Sequence, residues 1–168
     1  AVMISIPGSG IYVHVRGQAN LATGRGRTAT LPFRIASITK SFTGTAVLQL
    51  VDRGRLSLDD PLSTWYPNFP HADSITVDDL LRMQSGIPDS LDHDFLQEYY
   101  ADPTMVLTPD ESIARAAARA DEFKPAGQET VYNNLNYVFL QEIVQKVTGR
   151  DLGSQIRGAI LRDRKSVV

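Results

Sequence analysis

The sequence contains no cysteine, which excludes disulfides, thiolate metal sites and a cysteine nucleophile. No apolar run approaches the ~20 residues of a membrane-spanning helix. Runs of like charge are also missing. The 17 basic and 19 acidic side chains are spread along 168 residues and leave a formal charge of -2, which argues against nucleic acid as a partner. There is no internal repeat and no low-complexity linker. Ala1 to Pro7 has neither the basic segment nor the cleavage site of a signal peptide; it reads as the middle of a strand, as if the natural start had been removed. What is present, 42% hydrophobic and 21% charged residues, is the composition of a globular domain with a real core.

Residues 1–35 read as strands and turns. Ile11 to Val15 alternate weakly, Pro7-Gly8-Ser9-Gly10 is a strong turn signal, and Gly24-Arg25-Gly26 marks a loop. From Ser37 the pattern becomes helical. Ile38, Phe42, Ala46 and Val51 approximate a stripe that Leu48 and Leu50 widen, so the expected helix is buried on most sides and stops near Gly54. Thr76-Val77-Asp78-Asp79 opens a second helix that Gly86 would close, and Thr108-Pro109-Asp110-Glu111 is a capping box for a third. A fourth runs from Leu135 to Val147 with Gly149 as its stop, and Leu152 to Leu161 forms a fifth. The division is thus a β region over 1–35 and a mostly helical remainder over 36–168.

Two short patterns carry chemistry. In Ser37-Ile38-Thr39-Lys40 a spacing of three puts a hydroxyl and an amine on one helical face. A serine hydroxyl is a poor nucleophile until a base takes its proton, and a lysine amine is that base only when neutral, against a reference pKa of ~10.4. A helix N-terminus adds backbone N–H groups for a developing oxyanion. Taken alone, the pattern also fits a capping serine followed by a surface lysine. In Tyr132-Asn133-Asn134 an extended backbone points Tyr132 and Asn134 to one side. A phenol shares a proton with a hydroxyl when a cation lies close, and an amide can bind a substrate carbonyl and an amine together. Taken alone, this pattern also fits a polar turn with Asn134 as a helix N-cap.

The two patterns occur in this order, almost a hundred residues apart, within longer matching stretches: Phe33 to Thr43, Gly54 to Leu62, Ile75 to Leu81 continuing through Ser85-Gly86-Ile87-Pro88, Pro125-Ala126-Gly127, and Val147-Thr148-Gly149. In these stretches the chain resembles the serine β-lactamase-like family, which includes class C β-lactamases, D-alanyl-D-alanine carboxypeptidases and β-lactamase-fold esterases. The resemblance covers nearly the whole chain. It implies an α+β fold of the β-lactamase/transpeptidase type, an antiparallel sheet flanked by a mostly helical domain. It also implies that Ser37 forms the acyl-enzyme, Lys40 hydrogen-bonds to it and takes part in proton transfer, Tyr132 is general base or proton relay, and Asn134 orients the substrate. Asn133 stands where the family usually carries serine, with little consequence expected because its side chain points away.

The family's third motif, Lys-Thr-Gly or His-x-Gly on a later strand, is not found. Lys146-Val147-Thr148-Gly149 has an extra residue and ends a helix, and His14-Val15-Arg16-Gly17 precedes the nucleophile. The expectation is therefore an incomplete fold whose C-terminal strands are missing, with Arg162 onward read as a tail that is not native. A complete protein is expected to be a serine hydrolase acting on a β-lactam, a D-Ala-D-Ala peptide or an ester, without metal or organic cofactor. The alternatives are an inactive scaffold or binding homologue and an unrelated small helical interaction domain. The resemblance favours an extracytoplasmic location. His71 and His93 read as surface residues, the Asp92-His93-Asp94 run lacks a second cluster to hold a metal, and Trp65 and Tyr66 read as packing residues.

Overall fold

A computed structural model describes residues 1–162; the expected tail lies outside the described residues from Asp163 on. The chain divides into two compact units, one of them Ala1–Ala36 and the other beginning at Ser37.

In the first unit, β1 (Val2–Ile6) and β2 (Gly10–His14) form an antiparallel hairpin in which Val2 faces His14 and Ile4 faces Tyr12. The turn is closed by Ser9 N–H donating to the Ile6 carbonyl at 3.0 Å, as the Pro-Gly-Ser-Gly signal predicts. A second, smaller hairpin pairs β3 (Gln18–Asn20) with β4 (Arg25–Gly26). The four strands form two two-stranded antiparallel ribbons, each closed by a short local turn, the connection that costs least chain entropy. One correction concerns Arg25 and Gly26, expected in a loop, which lie in a strand. All residues of these four strands are exposed, including Met3 and Ile11.

The second unit is built around α5 (Asn134–Thr148), whose Leu135, Phe139, Leu140, Ile143 and Val144 are fully buried. Gly149 stops it with φ 70°, a left-handed cap for which glycine has no steric cost. Packed against α5 are α1 (Thr39–Asp52), α2 (Val77–Leu81) and α4 (Pro109–Ala117). Phe139 meets Tyr66 and Phe69 edge-on, with ring centroids 5.0 and 4.8 Å away, a preferred aromatic geometry. Burial, then Glu142 and Asp110, push the Tyr66 phenol up to about 12. Trp65 and Tyr66 are thus packing residues, and His71 and His93 are exposed, as expected.

Both capping boxes form. Thr76 and Asp79 bond reciprocally at the start of α2, and Thr108 and Glu111 do so at the start of α4. Other expectations need correction. The buried stripe of α1 is Thr43, Ala46, Val47 and Leu50, while Ile38 and Leu48 are exposed. The helix therefore buries one face, not most of its surface. α2 ends at Leu81, five residues before Gly86, because Met83 turns into the left-handed region at φ 60°. An unanticipated helix, α3 (His93–Ala101), buries none of its residues and starts from the Asp92 side chain, which accepts the Phe95 N–H at 2.8 Å. The last segment divides into α6 (Leu152–Ile156) and a π-helical turn, Arg157–Leu161. Among the described residues, no helix is long and apolar enough to cross a membrane.

Candidate active site

Ser37 lies in a short 3-10 turn, Ala36–Ile38, that leads into α1. Ala36 has φ 47°, a left-handed conformation that costs a residue with a Cβ roughly 1–2 kcal/mol. This strain sits one residue before the candidate nucleophile and has no signature in the sequence. The Ile38 side chain makes no cap bond, so the first N–H groups of α1 carry no side-chain partner at that end.

Lys40 is in the first turn of α1 and points back at Ser37. Its Nζ donates to three oxygens: Tyr132 Oη at 2.8 Å, Asn134 Oδ1 at 2.9 Å and Ser37 Oγ at 3.2 Å. Three acceptors match the three N–H donors of an ammonium group. A hydrogen bond of 2.8 Å between Ser37 Oγ and Tyr132 Oη closes the triangle. The rings of Tyr132 and Tyr137 flank the amine, with centroids 4.9 and 5.8 Å away, within cation–π range. Ser37 and Lys40, at the start of the second unit, are thus brought together with Tyr132 and Asn134, at the start of α5.

The bond from Lys40, then that from Ser37, hold the Tyr132 phenol below the usual phenol range, with burial and Asp89 opposing. Tyr137 is pushed the other way, first by burial and then by Tyr132. Two phenols beside one amine are therefore driven apart, and the one that touches the serine is the more acidic. Ser37 is exposed and Tyr132 is 58% exposed, so hydrogen bonding rather than desolvation tunes the group nearest the hydroxyl.

Tyr132 is positioned by its backbone. Segment 83–87 and segment 124–131 are joined by Lys124 N–H to Gly86 O at 3.0 Å, Gly127 N–H to Gln84 O at 2.8 Å and Val131 N–H to Met83 O at 2.9 Å. Together with Asn133 and Asn136, these segments line a cleft of about 220 Å³ beside Tyr132. Asn133, expected to matter little, is buried and closes the same join. Its Nδ2 donates to Ile87 O at 2.5 Å and its Oδ1 accepts the Leu135 N–H at 2.7 Å, which makes Asn133 the N-cap of α5 in place of Asn134. Asn133→Ala removes a cap worth ~1 kcal/mol and leaves a buried carbonyl without its donor, at ~1–3 kcal/mol. Urea unfolding is expected to show a loss of about 2–4 kcal/mol for Asn133→Ala, and a smaller one for Asn133→Ser, which keeps the cap.

With this geometry in view, comparison with known proteins is decisive. The profile of the beta-lactamase family matches residues 1–164. The chain belongs to the beta-lactamase family. It is 31% identical over 171 residues to Protein flp of Staphylococcus aureus, covering 94% of this chain and 33% of that protein. The putative penicillin-binding protein PbpX of Bacillus subtilis is 29% identical over 130 residues, covering 77% of this chain and 30% of PbpX. Among solved structures, the D-amino acid amidase of Ochrobactrum anthropi SV3, complexed with L-phenylalanine, superposes with a TM-score of 0.78 at 27% identity, covering 95% of this chain and 43% of the amidase. The β-lactamase/transpeptidase-type α+β fold expected from the sequence is therefore the one found. The chain spans about a third of the length of the curated relatives it matches.

Tyr137 and Asp89 were not singled out in the sequence, while Asn133 was named there as a residue of little consequence. The signal for Asp89 was its place directly after Ser85-Gly86-Ile87-Pro88, a stretch already matched to the family.

Proposed function

We propose that the protein to which this chain belongs is a serine hydrolase that forms an acyl-enzyme on Ser37. The observation that carries the reading is the triangle of Ser37 Oγ, Tyr132 Oη and Lys40 Nζ, with edges of 2.8, 2.8 and 3.2 Å. A hydroxyl held between a phenol of lowered pKa and an amine is in position to lose its proton as it attacks.

In the reaction, Ser37 Oγ bonds to the substrate carbonyl carbon while its proton passes to the Tyr132 phenolate, which the Lys40 cation stabilises. The tetrahedral oxyanion collapses, the bond from carbon to the leaving nitrogen or oxygen breaks, and the leaving group takes the proton from Tyr132. Water then attacks the ester on Ser37, releasing the acid and restoring the hydroxyl. Asn134 holds Lys40 through its oxygen and has amide N–H available for a substrate carbonyl.

The substrate class is a β-lactam, a peptide ending in D-Ala-D-Ala, an ester or a D-amino acid amide. The β-lactam is supported by the family and by PbpX, the D-amino acid amide by the amidase, and the peptide and the ester follow from the sequence resemblance alone. The protein, expressed with whatever coding sequence flanks this chain, is tested against a nitrocefin-type β-lactam, a D-Ala-D-Ala peptide, a p-nitrophenyl ester and D-phenylalanine amide. Turnover of at least one, lost in Ser37→Ala, supports the reading. Turnover of none, or turnover that survives Ser37→Ala, rejects it and favours a scaffold or binding homologue.

A further inference from the structure

Asn134 meets Lys40 through the oxygen of its amide, so its nitrogen faces the other way. There it meets Asp89. Oδ2 of Asp89 lies 3.3 Å from Asn134 Nδ2 and 3.4 Å from the Asn134 backbone nitrogen, a forked contact at the start of α5. Both distances are long for hydrogen bonds, but the chemistry is one-sided. A carboxylate only accepts. A flipped Asn134 amide would turn its oxygen against that carboxylate and its NH2 against the Lys40 amine, which carries only donors. Asp89 thus forbids the wrong orientation.

The loop that carries Asp89, between α2 and α3, is itself fastened. Asp89 Oδ1 accepts the Leu91 N–H at 3.2 Å. The Asp89 carbonyl accepts from Arg119 Nη1 at 2.9 Å, and the same nitrogen pairs with Asp92 at 2.9 Å. Asp92 in turn caps α3. Arg119, just after α4, therefore grips the loop at two points. No family motif quoted above includes this carboxylate.

We propose that Asp89 is a positioning residue of the site: it fixes the Asn134 amide with its oxygen toward Lys40 and sets the charge balance around Tyr132. Its effect on catalysis rests on the reading of Ser37 as nucleophile; its effect on Asn134 and Tyr132 does not. The charged and titratable groups facing the Tyr132 phenol are Lys40 from α1, Asp89 from the loop and Tyr137 from α5, with Arg119 reaching Asp89 from beyond α4. Lys40 lowers the phenol's pKa and Asp89 opposes it. Removing the carboxylate therefore lowers the titration of Tyr132 further.

The test uses the protein with ¹³C at tyrosine Cζ, the Tyr132 resonance being identified by its loss in Tyr132→Phe. In Asp89→Asn, which keeps a carbonyl acceptor for Asn134, the Tyr132 midpoint is expected to shift to lower pH. In Asp89→Ala it falls likewise, and the distinct side-chain amide signal of Asn134 is lost as well. If Asp89→Ala does not fold, the isosteric Asp89→Asn decides the matter alone. A midpoint that stays in place or rises overturns the proposal. Labelling of Ser37 by a phosphonate is a separate readout, expected to slow about tenfold in Asp89→Ala. A wild-type protein that is never labelled rejects Ser37 as nucleophile, while the Tyr132 titration still decides the role of Asp89.

Discussion

Lys40→Ala is expected to slow acylation of Ser37 by a factor of about 10³, the middle of the range for losing one group of a proton-transfer pair. The loss is large because one amine serves three partners. It is a donor to the hydroxyl, the cation that keeps the Tyr132 phenol acidic, and the anchor of the Asn134 oxygen. Without it the Tyr132 phenol loses the first cause of its lowered pKa and titrates at higher pH. The alkaline rise of the acylation rate should move upward with it. Lys40→Arg is not expected to rescue, since a planar guanidinium cannot direct three donors at three converging oxygens. Rates of labelling by a fluorescent phosphonate across pH 6 to 10, in wild type and both variants, check this. A Lys40→Ala variant labelled within a few-fold of wild type, with an unmoved pH profile, contradicts it.

Gly86→Ala is expected to be the most damaging single change to the fold around the site. Gly86 has φ +72°, and a Cβ there would stand 2.0 Å from the Lys124 carbonyl oxygen and 2.8 Å from its carbon. The neighbour is backbone, so it cannot swing aside as a side chain would. The left-handed conformation costs a residue with a Cβ roughly 1–2 kcal/mol, and forcing a backbone apart adds about 1–3. A loss of roughly 2–5 kcal/mol follows, read as a lower urea midpoint in circular dichroism. The same overlap separates segment 83–87 from segment 124–131, whose bonds position Tyr132. Labelling of Ser37 should therefore fall by more than the unfolded fraction explains. Stability within 1 kcal/mol of wild type would show that the two loops are not locked together.

Much of this was readable in the chain because it depended on local chemistry. Thr76 and Thr108 start helices through bonds to residues three positions on, and Gly149 ends one through its own φ. Such signals need no tertiary context. Ser37 and Lys40 were likewise linked by helical spacing, and Tyr132 and Asn134 by strand spacing, although only the family resemblance joined the two pairs. What escaped was set by distant partners. The exposed face of α1 could not be told from its buried face, because Ile38 and Leu48 are as apolar as Val47 and Leu50. α2 stops early because Met83 turns left-handed while segment 83–87 bonds to the distant segment 124–131. Asn133 looked like a residue turned away from the chemistry. It is turned away, and there it ties Ile87 to the start of α5. Asp89 stands just after a matched stretch and Ala36 inside one, but a forked contact and a strained φ are tertiary facts that neither position announces.

The central claim is that the oxygen of residue 37 takes the acyl group, made reactive by an amine and a phenol that close on it. Peptide mapping after brief exposure to a phosphonate or a penicillin tests it most directly. One adduct is predicted, on the peptide bearing Ser37, absent in Ser37→Ala and formed far more slowly in Tyr132→Phe. An adduct on another residue, or one that persists in Ser37→Ala, contradicts the account.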